Sequence, residues 1–103
     1  MILVNTDFIS GKEFETLRLV RGSTIRSKHL GKDLMAGLKT IVGGELTGYS
    51  EMINEARAIA TKRMVDDAES LNADAVINIR YATSNVAQGA AELYAYGTAV
   101  RVE

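Results

Sequence analysis

From residue 41 to residue 71 the chain reads IVGGELTGYSEMINEARAIATKRMVDDAESL, a double-glycine turn followed by the longest helical pattern in the sequence. From Tyr49 onward, Ile53, Ala56, Ala60, Met64, Ala68 and Leu71 recur at steps of three or four. That spacing sets them on one stripe of a helix with a 3.6-residue period. The stripe requires a cover. Glu51 and Glu55 stand in the first turns, where the positive end of the helix dipole favours carboxylates, and Thr47 or Ser50 offers an N-capping hydroxyl. Asn72 follows as a left-handed stop.

On the N-terminal side, Leu34, Met35, Leu38, Ile41 and Val42 recur at helical spacing and predict a first, shorter helix over residues 32–42, stopped by Gly43-Gly44. Residues 14–20 alternate as a strand, with Glu15, Leu17, Leu19 and Arg21 on one face and Phe14, Thr16, Arg18 and Val20 on the other. Residues 23–29 read as a polar loop, and Ile2 to Val4 as an edge strand or an arm laid on a neighbour. On the C-terminal side, residues 75–82 predict a strand with Ala75, Ile77, Ile79 and Tyr81 on one face. After a loop over 83–89, residues 92–102 predict the last strand, where Leu93, Ala95, Gly97 and Ala99 alternate with Tyr94, Tyr96, Thr98, Val100 and Val102. The expected fold is α+β, one domain over residues 1–103, with an antiparallel sheet packed on the long helix. The small face of the last strand lets a helix approach closely. The larger face then has no partner within two layers, and such a patch marks an interface unless the N-terminal strand or the loops cover it. Homo-oligomerisation is the expectation.

With 103 residues and 47% hydrophobic content, the chain is long enough to bury roughly two thirds of its unfolded surface. There is no cysteine, which excludes disulfides, thiolate nucleophiles and thiolate-ligated zinc or iron–sulfur clusters. No run approaches the ~20 apolar residues that span a bilayer, and the first ten residues lack the basic and apolar regions of a signal peptide; a cytoplasmic location without membrane contact is expected. A net charge of −1 argues against a dedicated nucleic-acid binder. Positive charge nonetheless gathers at Arg18, Arg21, Arg26, Lys28 and Lys32, with no acid between residues 16 and 32.

Few residues suggest chemistry. His29 is the only histidine; with Lys28 and Lys32 beside it, a solvated loop residue is favoured over a ligand or general base. Asp66, Asp67 and Asp74 are the acids that could join it around a metal ion, but Asp67 is expected to pair with Arg63 four residues earlier on the helix. Gly43, Gly44 and the residues up to Gly48 resemble in composition a loop offering main-chain amides to an anion, although the spacing matches no phosphate-binding motif and Glu45 opposes an anion. Arg57 borders the apolar stripe, where it can bury its stem and reach a carbonyl, a neighbouring subunit's carboxylate or a ligand.

The segment from Val42, Gly43 and Gly44 through Tyr49, Ala56, Arg57, Ile59 and Ala60 to Leu71, Ala73, Asp74 and Ala75 resembles the YbjQ-like family, the UPF0145 group. Its pattern has a VGG turn, a tyrosine opening a helix, an A-R-x-I-A core and an L-G-A-D-A exit into a strand. Lys32, Asp33, Ala36 and Gly37 before the turn, and Gly97, Thr98, Ala99 and Val100 near the end, extend the likeness over nearly the whole chain. The resemblance implies a dodecin-like β-α-β-β subunit with additional short elements, assembled into a ring-shaped homopentamer. The family carries a heavy-metal-binding label but no known activity. This sequence departs from that label in having no cysteine and one histidine, and it has Asn72 where glycine is usual.

Three readings follow. The first is a self-associating protein with small-ligand sites at subunit boundaries near Gly43, Gly44, Tyr49 and Arg57. The second is a metal-binding module using His29, Asp66, Asp67 and Asp74, weakened by the absence of soft ligands. The third, an enzyme with a site shared between subunits, is the least favoured, because no nucleophile and base are suggested by spacing. No cofactor is indicated.

Overall fold

The structure, a computed structural model, describes residues 1–27, 47–87 and 90–103. Among these residues, strands β1 (Ile2–Leu3) and β2 (Phe14–Ser27), helix α1 (Thr47–Glu69), and strands β3 (Ala75–Ala87) and β4 (Ala90–Val102) follow one another. The four strands form one sheet in the order β1-β3-β4-β2. The shorter helix expected over residues 32–42 lies outside the described residues.

The long helix covers one face of the sheet through the expected stripe. Ala56, Ala60, Met64 and Ala68 are fully buried and cluster with Val20, Val76, Ile79, Leu93, Ala95 and Ala99. Three of these four helical residues are alanine, which draws the helix axis close to the sheet. A Cβ on Gly22 of β2 would collide with the main-chain nitrogen of Met64 and the carbonyl oxygen of Ala60. Burying Met64 contributes roughly 1.5–3 kcal/mol, and the absent Gly22 side chain is the condition for it. The helix ends as expected at Asn72, whose φ is 57°. The Asn72 amide donates to the Glu69 carbonyl (3.0 Å) and the Ala73 amide to the Ala68 carbonyl (3.2 Å), the paired bonds that satisfy the last carbonyls when residue C′ is left-handed.

Four expectations need correction. The sheet is mixed, not antiparallel: β2 and β3 run antiparallel to β4, but β1 runs parallel to β3, pairing Ile2 with Ala75 and Leu3 with Val76. The cause is the path of the N-terminus, which starts on the β3 edge and must cross the sheet to reach β2 on the far edge. Strand β2 runs on to Ser27 rather than stopping at Val20, because β4 supplies partners as far as Ala90 opposite Ser27. Strand β3 likewise reaches Ala87 through residues expected to form a loop. Ala75, Ile77, Ile79 and Tyr81 do not share a face either. The register shifts between Ile77 and Arg80, where Asn78 takes φ 55°. This bulge sends Ala75 and Ile77 to the face away from the helix and Ile79 to the helix side.

The face away from the helix is partly covered. Ile2, Val4, Ile9 and Phe14 pack on Ala75, Ile77 and Val100, so the N-terminal crossing shields the Val100 end. Beyond it, Leu19 and Ile25 on β2 are 61% and 58% exposed, flanking half-buried Tyr94 and Tyr96 of β4, whose ring centroids are 5.9 Å apart.

Candidate functional site

Three side chains join the helix to β2. Arg18 reaches Asp67 with both guanidinium nitrogens, Nη2 to Oδ1 at 3.1 Å and Nη1 to Oδ2 at 3.4 Å, and the Arg21 amide donates to Asp67 Oδ2 at 3.3 Å. The hydrogen bond from Arg18 holds the Asp67 carboxyl below the usual carboxylate range; partial burial opposes that shift, and the Arg21 amide reinforces it. Arg63, the expected partner of Asp67, instead donates to the Ser23 carbonyl at 2.6 Å. The half-buried carboxylate is thus paired across 49 positions of sequence with a strand it packs on.

Among the expected site residues that are described, Asp66, Asp67 and Asp74 do not converge on one point. Asp66 is held by Lys62 at 3.1 Å, Asp67 by Arg18, and Asp74 Oδ2 accepts the Val102 amide at 2.8 Å. His29, Gly43 and Gly44 lie outside the described residues, as does the side chain of Tyr49. Arg57 does not bury its stem at the stripe; it is exposed on α1 and donates to Asn54 Oδ1 at 3.2 Å. No three His, Cys, Asp or Glu side chains converge among the described residues. Asp66, Asp67 and Asp74 each already have a cation or an amide, and the chain has no thiol. This donor set does not fit a thiophilic heavy-metal ion, which calls for soft ligands.

A concavity lies where sequence reasoning placed none. Leu3, Val4, Asn5, Ile79, Arg80 and Tyr81 line a cavity of about 470 Å³ at the junction of β1 and β3. Its floor is set by the Asn78 bulge, which lets the Ile79 amide donate to the Val4 carbonyl at 3.2 Å and the Asn78 amide to the Thr6 carbonyl at 2.9 Å. Arg80 Nη1 is fixed by the carbonyls of Asn5 (3.0 Å) and Ile79 (2.9 Å). The Tyr81 hydroxyl shares a hydrogen bond of 2.9 Å with Thr61 Oγ1 of α1. A cationic group, a phenol and an apolar floor suit binding of a small acceptor-bearing molecule, and no nucleophile and base meet there. An asparagine inside a β-branched run was the one sequence signal for this bulge.

The family model described as "Putative heavy-metal-binding" matches residues 1–103. The chain is 72% identical over 102 residues to a UPF0145 protein of Clostridium novyi, covering 99% of each. It is 70% identical over 101 residues to one of Alkaliphilus metalliredigens, covering 98% of each, and 60% identical over 103 residues to one of Methanosarcina acetivorans, covering 99% of this chain and 97% of that relative. Among solved structures, a protein of unknown function in the DUF74 family from Pediococcus pentosaceus superposes with a TM-score of 0.72 over 100% of this chain and 98% of that one, at 14% identity. That likeness concerns the fold alone. No helix among the described residues is long and apolar enough to cross a membrane.

Proposed function

The chain belongs to the UPF0145 family, and from that premise we propose that it is a self-associating protein, a ring of five subunits by its resemblance to YbjQ-like proteins, that binds a small ligand where subunits meet. The observation that carries this reading is the uncovered end of the outer sheet face. Leu19 and Ile25 are more than half exposed on the face that carries Tyr94 and Tyr96, with Arg21 and Ser23 between them opposite the tyrosines, and large apolar side chains left exposed on a sheet face are what a partner would cover. A second copy is the partner with which such a contact closes by the simplest symmetry. The residues put forward for ligand binding are Gly43, Gly44, Tyr49 and Arg57, of which Arg57 is exposed on α1, and the recess at Arg80 and Tyr81 is a further candidate for a boundary site.

Metal binding gains nothing beyond the family description, since Asp66, Asp67 and Asp74 are engaged, no three His, Asp or Glu side chains converge among the described residues, and thiols are lacking. Native mass spectrometry of gently purified, untagged protein tests the proposal. The expected result is a multimeric mass with any retained molecule seen as an added mass. A well-folded monomer at micromolar concentration by light scattering overturns it.

A further inference from the structure

The two edges of the sheet are treated differently, and this difference indicates where a second copy docks. On β2, the main-chain groups that point away from β4 are already occupied. Arg18 Nη1 donates to the Leu19 carbonyl at 2.9 Å, Asp67 Oδ2 accepts from the Arg21 amide at 3.3 Å, and Arg63 Nη1 donates to the Ser23 carbonyl at 2.6 Å. These three residues follow the two-residue period of outward-pointing groups along an edge. The middle of the β2 edge is therefore closed to another strand by side chains of β2 itself and of α1.

On β3, the N-terminal segment closes the edge only as far as Ile79. The Ile2 and Val4 amides donate to the Asp74 and Val76 carbonyls at 3.2 and 3.1 Å. Asn78 and Ile79 in turn donate to Thr6 and Val4, and Arg80 Nη1 takes up the Ile79 carbonyl. Since Ile79 directs both its amide and its carbonyl outward, the same period turns those of Tyr81, Thr83 and Asn85 outward, while Arg80, Ala82 and Ser84 face β4. Among the described residues nothing bonds the outward main-chain groups of residues 81–87. That run, Tyr-Ala-Thr-Ser-Asn-Val-Ala, contains no charge and no proline, so it lacks two of the common devices by which an exposed edge is kept from pairing, and the register shift between Asn85 and Ala87 confines its regular ladder to residues 81–85.

We propose that residues 81–87 form a strand-addition site whose occupant is the same strand of a second copy, running antiparallel about a two-fold axis near Thr83 and Ser84. The self-pairing is favoured because this is the longest run of unoccupied ladder positions that a described copy offers, because it opposes no like charges, and because an isologous contact closes on itself instead of propagating. It rests on the self-association reading above and specifies one of its contacts. Two-fold pairing joins subunits, or whole rings by their rims, two by two. The assembly then holds an even number of chains.

Amide hydrogen exchange on the native assembly, read alongside its mass, tests this. The expected result is an even-numbered assembly in which the Tyr81 and Thr83 amides exchange at least about 100-fold more slowly than freely exposed amides, as Ala82 and Ser84 do through β4. A multimer with fast Tyr81 and Thr83 amides overturns the edge contact and leaves self-association standing; a monomer overturns self-association itself. Thr83→Pro removes one outward amide without touching the β4 ladder, and it should halve the assembly mass with an unchanged circular dichroism spectrum. A folded variant of undiminished mass overturns the contact. If the variant does not fold, the exchange rates of the unsubstituted protein decide.

Discussion

The Met64 main-chain nitrogen occupies the place where a side chain on Gly22 would begin, and Arg63 C lies 2.6 Å from the same point. Strand and helix meet there backbone to backbone, so no rotamer change can make room. Gly22→Ala should cost about 3 kcal/mol or more, the upper end for overpacking a core, and lower the melting temperature by on the order of 10–20 °C for a domain of this size. Thermal denaturation followed by circular dichroism checks this. A loss of under a degree would mean that α1 does not lie over β2 at Gly22.

Gly97 is a milder case of the same constraint. Its missing Cβ would stand 2.7 Å from Val76 Cγ1 and 2.8 Å from the Ile77 carbonyl oxygen. The valine can shift; the carbonyl, set in the bulge, resists. Gly97→Ala should destabilise by about 1–2 kcal/mol, less than Gly22→Ala, and urea titration of the two variants side by side gives the ranking.

The Arg18 and Asp67 pair makes stability depend on acid. Asp67 ionises below the usual range in the folded protein, so its contribution is complete above the unfolded-state value of about 3.9 and fades as the pH falls through the lower folded-state value. Asp67→Asn should cost about 1 kcal/mol at pH 7, discounted for an exposed arginine and screening salt. At pH 2–3 the gap to the unsubstituted protein should shrink toward zero. Urea midpoints at both pH values measure it, and a gap that is the same at each would show that charge is not what Asp67 contributes.

Much of the architecture can be read from single positions. Ala56, Ala60, Met64 and Ala68 lie where a 3.6-residue period puts them, and Asn72 ends the helix because its side chain tolerates the left-handed region. Leu93, Ala95 and Ala99 show by their spacing which face meets the helix. The strand ends were harder, because residues 23–27 and 83–87 are polar and gain their extended form only from β4 between them. Asp67 drew a local partner in Arg63 by the four-residue rule, whereas its carboxylate pairs with Arg18, 49 positions away, because the helix lies over β2. The recess at Arg80 and Tyr81 depends on a parallel contact and a bulge, neither of which a two-residue alternation can express.

The bulge itself is testable. Asn78 holds φ 55° while its amide donates to Thr6, so the position selects for residues that accept the left-handed region. Asn78→Gly should be neutral within about 0.5 kcal/mol, and Asn78→Val should lose about 1–2 kcal/mol. In the valine variant a one-residue slip of β3 would also exchange the faces of Ile77 and Ile79, visible as lost near-ultraviolet dichroism from the tyrosines. Equal stability of the two variants would place no demand on φ at this position.

Leu19 and Ile25 project from β2 into solvent at 61% and 58% exposure, so replacing either with aspartate should change the stability of a lone subunit by no more than about 0.5 kcal/mol. In an assembly that covers this face the outcome differs, because each copy then buries an unpaired carboxylate at the contact, a cost several-fold larger. Leu19→Asp and Ile25→Asp should each shift the sedimentation profile toward smaller species at micromolar concentration while the far-ultraviolet spectrum stays the same. This separates the face from the β3 edge, where Thr83→Pro acts on main-chain bonds alone. If both aspartate variants sediment like the unsubstituted protein, the outer face is solvent-exposed in the assembly, and the tyrosines beside it have no neighbouring subunit to meet.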